Sequence, residues 1–304
     1  MRLNKGEWSE LFIGLLSLKK GELNLYNSAT KIKITNISYD GKKFLSKKDI
    51  NDIDLNIIKK FLFESIGVFK IPLDVFNKVN FKKGGSNNKT DIILRYLLLN
   101  ENFEDNFSIK SSIGGKPSLL NASRATNFRY SINSKCDGLF ELKTKNLLEK
   151  IDINDIRFEK CLSSIFCNNL KMIDSSLDII ISKILITYYK RMGNKIPDLV
   201  EKTFEDFNEK QQIKQRIKDF LYYICVGMFP TKLWNGKEEI IGKLVYTHEE
   251  DLFCLHRIDI NNFKDYIYNN SILDTASTSR HQFGSLFKEN HQTFLDLNLL
   301  IRMG

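Results

Sequence analysis

Thr90-Asp91-Ile92, followed seventeen positions after the aspartate by Ser108-Ile109-Lys110 within Phe107-Ser108-Ile109-Lys110-Ser111, is the stretch on which the fold turns. Residues 91–99 are an apolar run rich in β-formers, 100–106 a polar turn, and 107–113 a second β-rich run, which predicts two adjacent strands. If Asp91 opens the first strand, period-two alternation sends Ser108 and Lys110 to one face of the second, where they can meet the aspartate. A carboxylate, a hydroxyl and an ammonium so placed suit a divalent ion and a phosphate. The Ser-Ile-Lys spacing also arises by chance, so the surrounding sequence has to support it.

Working outward, 81–89 (FKKGGSNNK) is a Gly/Ser/Asn/Lys loop leading into Asp91, and Gly114, Gly115 and Pro117 end the second strand. Residues 6–20 place Trp8, Leu11, Phe12, Leu15, Leu16 and Leu18 at helical spacing, with Gly21 as a stop. Residues 23–45 alternate and contain Asp40-Gly41, as in a hairpin or two short strands. Residues 54–66 return to helical spacing, and 128–132 form a third strand. Helical periodicity then dominates 139–150, 155–172, 175–192 and 198–228. Strands return at 240–247 and 252–258, a short helix follows at 261–268, and 294–302 closes as a strand.

The pattern predicts an α/β (α+β) fold: a mixed β-sheet flanked by helices, with a large helical insertion or subdomain. The expected division is 1–136, a core with its N-terminal helix; 137–236, a mainly helical region; and 237–304, C-terminal strands that can return to the core. The chain has 304 residues, enough for a proper core, and 42% of them are hydrophobic.

Its net charge of +9 points to a polyanionic partner. Residues 76–135 hold ten basic residues against four acids, so the positive charge concentrates around the Asp91 region. Five cysteines, without any CxxC, argue against a disulfide framework and against a zinc site. The charged opening MRLNKGEWSE lacks the apolar core of a signal peptide, and the run at 177–189 is too short to span a bilayer. The expectation is a cytoplasmic protein with no membrane association.

One carboxylate is too few for a magnesium site, so a second acid must join Asp91. Glu10 is the candidate and Glu7 the understudy, three residues apart on one helix face, although a glutamate there is usually just solvated. Lys110 can orient a water or stabilise charge on a phosphorane-like transition state. Asn121, Ser123, Arg124, Thr126, Asn127 and Arg129 are dense in hydrogen-bonding groups suited to phosphates or base edges, or to the loop's own Asx and Ser/Thr turns. Late in the chain, Arg280 and His281 form a second basic polar run that can clamp a phosphate or a guanine.

These blocks resemble a known family. KGEWSEL at 5–11, TDI at 90–92, FSIKSSIGGKPSLLNASRATNFRYSI at 107–132 and the closing STSRHQFGSLFKENHQTFLDLNLLIRM are similar to type II restriction endonucleases of the HpaII family. The resemblance implies a PD-(D/E)xK nuclease core that cuts duplex DNA at a short site with Mg2+, CCGG or a related sequence. It makes Asp91 the metal-binding aspartate and Lys110 the catalytic lysine, with Ser108 standing where the wider superfamily prefers Asp or Glu. KGEWSE also resembles the KGxxxE opening of archaeal Holliday-junction resolvases, whose first-helix glutamate is a metal ligand, and this selects Glu10 over Glu7. The implied metal set is Asp91, Glu10 and Ser108, and the implied partners are double-stranded DNA, a cognate DNA methyltransferase and a second copy of the chain. The competing expectations are a sequence-specific DNA-binding protein whose centre has decayed at Ser108, and a structure-selective repair nuclease.

Overall fold

A computed structural model of the chain describes residues 5–25, 31–41, 78–83, 89–111, 116–133, 148, 150–240, 242–248, 251–256, 260–275 and 284–304. The elements begin with α1 (Lys5–Lys20), β1 (Glu22–Leu25), β2 (Lys31–Gly41), β3 (Val79–Lys83), β4 (Ile92–Leu98) and β5 (Glu101–Ser111). There follow β6 (Ser118–Leu120), β7 (Asn127–Ile132), β8 (Ile156–Cys161), α2 (Ser164–Ile173), α3 (Leu177–Tyr189), α4 (Ile196–Thr203) and α5 (Phe207–Val226). The chain closes with β9 (Gly242–His248), β10 (Asp251–His256), α6 (Ile260–Asn269), β11 (Ser271–Leu273), β12 (Gly284–Glu289), β13 (Gln292–Asn298) and β14 (Ile301–Met303). Two compact units result, one from Met1–Pro117 with Glu238–Phe263, the other from Ser118–Lys237 with Lys264–Gly304. The fold is α+β, with mixed strand pairing. None of the described helices is long and apolar enough to cross a membrane.

In the first unit a seven-stranded mixed sheet runs in the order β1-β10-β9-β5-β4-β2-β3, and β1 also pairs with β2, so the sheet curls on itself. β4 and β5 are antiparallel, with Ile92 opposite Phe107, and β9 lies parallel to β5, with Gly242 opposite Phe107 and Lys243 opposite Ser108. Ile37, Ile92, Leu94, Phe107 and Ile109 are all buried and share one sheet face by register. Helix α1 covers that face. A methyl added at Gly14 would come within 2.8 Å of Ile37 Cδ1 and 3.8 Å of Ile92 Cγ2, so glycine is what lets the helix approach this closely.

The turn after β4 is tighter than the sequence pattern suggests. Leu99 and Asn100 alone reverse the chain, both at positive φ (52° and 68°), and β5 already begins at Glu101 instead of after a polar turn at 100–106. Glu101, Asn102 and Glu104 are polar because they are exposed, not because they leave the sheet. Asp40-Gly41, similarly, ends β2 in parallel pairing with β3 and does not form a hairpin turn. The helix predicted at 54–66 lies outside the described residues.

The second unit holds a four-stranded sheet, β12-β13-β7-β8, and a three-stranded one, β11-β14-β6, with helices α2 to α5. Phe128 and Tyr130 are fully buried; Phe128 meets the rings of Phe158 and Phe166, and the Tyr130 hydroxyl donates to the carbonyl of Ser182 at 2.9 Å. The single helix predicted at 155–172 is divided: β8 takes Ile156–Cys161, and α2 starts where Ser163 Oγ accepts from the Phe166 amide. β8 is an edge strand whose register shifts between Arg129 and Tyr130, which spoils its period-two signal. The predicted helix at 198–228 is interrupted too, at an extended Phe204, and resumes with Asp206 accepting from the Glu209 amide at 2.7 Å. The closing strand is really two, β13 and β14, in different sheets.

Candidate active site

Thr90 and Asp91 immediately precede β4, and the Asp91 amide donates to the Phe107 carbonyl at 2.9 Å, which fixes the aspartate at the head of the hairpin. Its Oδ2 accepts two hydrogen bonds, from Ser108 Oγ at 3.0 Å and from the Ile109 amide at 2.8 Å. Asp91 and Ser108 are each only 3% exposed. A buried carboxylate fixed by two donors is stable only because its polar demand is met, and the arrangement leaves little freedom of orientation.

Lys110 lies two residues beyond Ser108 in β5, hence on the same sheet face, and is half-buried. Strand geometry thus brings Asp91, Ser108 and Lys110 to one face of the sheet. Glu10 is placed differently. It is half-buried and four residues before Gly14, so it shares the helix face that packs on the sheet. That helix covers the Ile92–Phe107 face, the opposite one from Ser108 and Lys110.

Residues 121–129 belong to the second unit, where 124–126 form a single 3-10 turn between β6 and β7. Asn121 and Arg124 are exposed. Thr126 is fully buried: its hydroxyl accepts from the Ser123 amide at 3.0 Å and donates to the Ser123 carbonyl at 3.1 Å. Asn298 Nδ2 donates to the Ser123 carbonyl and to Asn127 Oδ1, so Asn127 is engaged by the end of β13. Arg129 forms a bidentate pair with Asp296 at 2.8 and 3.0 Å and stacks 4.7 Å above the Phe287 ring, so its guanidinium is used internally. Arg280 and His281 lie outside the described residues.

Two features escaped the sequence reading. Lys243, opposite Ser108 in β9, is 1% exposed; the only sequence signal was a lysine inside the apolar β-run at 240–247. Cys161, Cys167 and Asp178, far apart in spacing terms, bring their ligand atoms within 4.8 Å of one another. Cys167 Sγ lies 3.4 Å from Asp178 Oδ2, and Lys171 Nζ is 3.6 Å from the same oxygen. Burial pushes both thiols up from their ordinary range, and the neighbouring carboxylate adds to the effect at Cys167. Both are therefore thiols, not thiolates, near neutral pH.

The family model described as HpaII restriction endonuclease matches residues 18–303. The chain belongs to the HpaII restriction endonuclease family. It is 30% identical to the type II restriction enzyme HpaII of Haemophilus parainfluenzae, over 98% of each chain. No solved structure matches it. Membership makes the chain a hydrolase, a type II site-specific deoxyribonuclease, and the matched region runs through both units.

Proposed function

We propose that this HpaII-family member cuts duplex DNA at a short sequence, CCGG or a related one, by Mg2+-dependent hydrolysis of one phosphodiester in each strand, and that Asp91, Ser108 and Lys110 form the cutting centre. The observation that carries the reading is the pair of hydrogen bonds that lock Asp91 Oδ2 to Ser108 Oγ and the Ile109 amide, two residues or fewer from Lys110. The donor set fits one hard cation: a carboxylate and a hydroxyl, both oxygen ligands, at a rigid strand end. Bound there, magnesium supplies Lewis-acid polarisation of the phosphate.

In this reading Asp91 holds the ion, and Ser108 orients the aspartate and contributes at most a neutral oxygen. Lys110 positions the attacking water and stabilises the charge that builds on the phosphate oxygens. Glu10, on the helix that opens the chain, is the proposed second acid of the ligand set. An N-terminal helix over a mixed sheet, with the aspartate and the lysine brought together by adjacent strands, supports a PD-(D/E)xK core. Asn121 and Arg124, exposed beside the turn of the second unit, are the first candidates for DNA contact, with Ser123 and Asn127 holding the turn and Arg280 and His281 as further candidates. A host cell would need a cognate methyltransferase, and cutting both strands suits a homodimer.

The test is incubation with plasmid DNA and Mg2+. Discrete fragments with uniform ends support the reading, and the sequence at those ends gives site and overhang. DNA retention without cleavage in either Mg2+ or Mn2+ overturns it, and cleavage confined to branched DNA points to a repair nuclease.

A further inference from the structure

Cys161 ends β8, Cys167 stands in α2 and Asp178 in the first turn of α3, so three elements of the second unit bring two sulfurs and a carboxylate together. Their ligand atoms all lie within 4.8 Å of one another, and Cys161 and Asp178 are buried. Each is placed independently: Cys161 by its pairing opposite Phe128, Cys167 by the helix that Ser163 caps, and Asp178 by the Ile179 amide, which donates to its Oδ1 at 2.9 Å. With Oδ1 held by the backbone, Oδ2 is the oxygen turned to the sulfurs, 3.4 Å from Cys167 Sγ. A carboxylate so oriented is what a metal ligand needs. In a tetrahedral zinc site, with Zn–S about 2.3 Å and Zn–O about 2.0 Å, a sulfur and an oxygen ligand stand roughly 3.5 Å apart and two sulfurs roughly 3.8 Å. The Cys167–Asp178 edge is already close to the first of these lengths, and the other edges have to close by at most about 1.3 Å. A hydrogen bond accounts for the Cys167–Asp178 pair, but gives no reason for a second sulfur beside it.

We infer that Cys161, Cys167 and Asp178 form a binding site for a thiophilic divalent cation, Zn2+ by its ligand chemistry, with a fourth position open to solvent beside the half-buried Cys167. Two sulfurs and one oxygen suit Zn2+ and exclude Mg2+ and Ca2+, which take oxygen ligands. Binding forms two S–Zn bonds and one O–Zn bond, releases the two thiol protons to solvent and moves no electron. Burial pushes both thiols up from their ordinary range, so without a cation the pair keeps its protons. Lys171 Nζ, 3.6 Å from Asp178 Oδ2 on a half-exposed side chain, is the charge that the cation displaces. Such an ion ties β8, the edge strand of its sheet, to α2 and α3, next to the bond from the Leu162 amide to the Asn127 carbonyl at 2.8 Å. All three ligands belong to the second unit and none to the proposed cutting centre, so the site stands without that centre. The sequence hid it because six positions separate the cysteines and eleven more lead to the aspartate, with a strand end and two helix starts between them.

The full-length chain, reduced with a phosphine and freed of metal with a chelator, is titrated with Co2+ as the probe. The expected result is a near-ultraviolet thiolate-to-cobalt absorption band that saturates at one ion per chain and is removed by equimolar Zn2+. Co2+ held by oxygen ligands alone gives no such band, so ions at the proposed cutting centre do not contribute. Zn2+ is expected to raise the melting temperature of the same protein, since the folded chain binds it. Cys167→Ser abolishes the band, and Asp178→Asn raises the half-saturating Co2+ concentration by about tenfold or more. Lys171→Gln removes a competing cation and lowers the half-saturating concentration by about threefold, an effect opposite in sign to that of loosened packing. Absence of the sulfur band in the reduced wild-type chain overturns the inference, and so does an unchanged band in Cys167→Ser. If a thermal melt shows Cys167→Ser unfolded, Lys171→Gln decides: tighter Co2+ binding supports the site, and equal or weaker binding overturns it. A Cys161–Cys167 disulfide recovered after air oxidation of a chain that gave no cobalt band also overturns it, because the two sulfurs are then a redox pair.

Discussion

Ser108 donates its hydroxyl hydrogen to Asp91 Oδ2 across 3.0 Å, and the Ile109 amide donates to the same oxygen at 2.8 Å. The serine is therefore tied to the aspartate as its donor. In the proposed centre its contribution is to orient the aspartate.

Ser108→Ala removes one of the two donors but leaves the amide. A hydrogen bond to a charged group is worth about 1.5–3 kcal/mol, so the variant is expected to be less stable by an amount in that range and to cut roughly tenfold more slowly, without losing activity. Denaturant melts and single-turnover cleavage check both, and complete inactivity would make Ser108 an essential ligand.

Asp91→Asn preserves the shape and an oxygen able to accept from the Ile109 amide. Cleavage in Mg2+ is expected to disappear while Ca2+-supported plasmid retention and the melting temperature stay close to wild type. Asp91→Ala would add an unsatisfied buried amide, costing about 1–3 kcal/mol, so comparing the two variants separates chemistry from folding.

Gly242 shows how closely the strands beneath the site are packed. A methyl there would overlap three ring atoms of Phe107, which is fully buried in the layer under α1. Gly242→Ala is expected to destabilise the protein by about 1–3 kcal/mol in a urea melt, because an aromatic ring in a filled layer has no room to move aside.

Arg124, in the 3-10 turn, and Arg129, in the strand after it, are expected to behave oppositely. Arg124 is exposed, so Arg124→Ala weakens plasmid retention and flattens its salt dependence without shifting the melt. Arg129 is held by Asp296 and stacked on Phe287, and Arg129→Ala lowers the melting temperature, because it leaves the mostly buried Asp296 without its cation.

The thiol cluster gives a pH-dependent prediction. The folded-state pKa of Cys167 is raised, with Asp178 contributing after burial, so alkylation by iodoacetamide at pH 8 is slower than for a free cysteine and accelerates only as the pH climbs past the ordinary thiol range. Asp178→Asn lowers the thiol pKa and speeds the reaction at fixed pH. A slower reaction in that variant would show that the carboxylate does not hold the proton on sulfur.

The part of the site that could be read in the sequence was the part encoded locally. Asp91, Ser108 and Lys110 fall on two strands joined by a short hairpin, so period-two alternation was enough to place them. Lys243 could not be found that way, since it reaches Ser108 through a parallel pairing between segments more than a hundred residues apart, with the second unit's elements inserted between them. Glu10 was chosen by motif, and motif carries no information about which sheet face the helix covers; Gly14 over Ile37 and Ile92 supplies that. Polar density alone did not show that Thr126 is engaged by the Ser123 turn and Arg129 by Asp296. Strand β8 read as helix because an edge strand with a register shift loses its alternation.

The central claim, that the Asp91–Ser108–Lys110 strand pair does the cutting, is tested most directly by Lys110→Ala in single-turnover cleavage of plasmid DNA with Mg2+, alongside Ca2+-supported retention of the same plasmid. The account predicts no detectable cutting with retention close to wild type; cutting at the wild-type rate would contradict it.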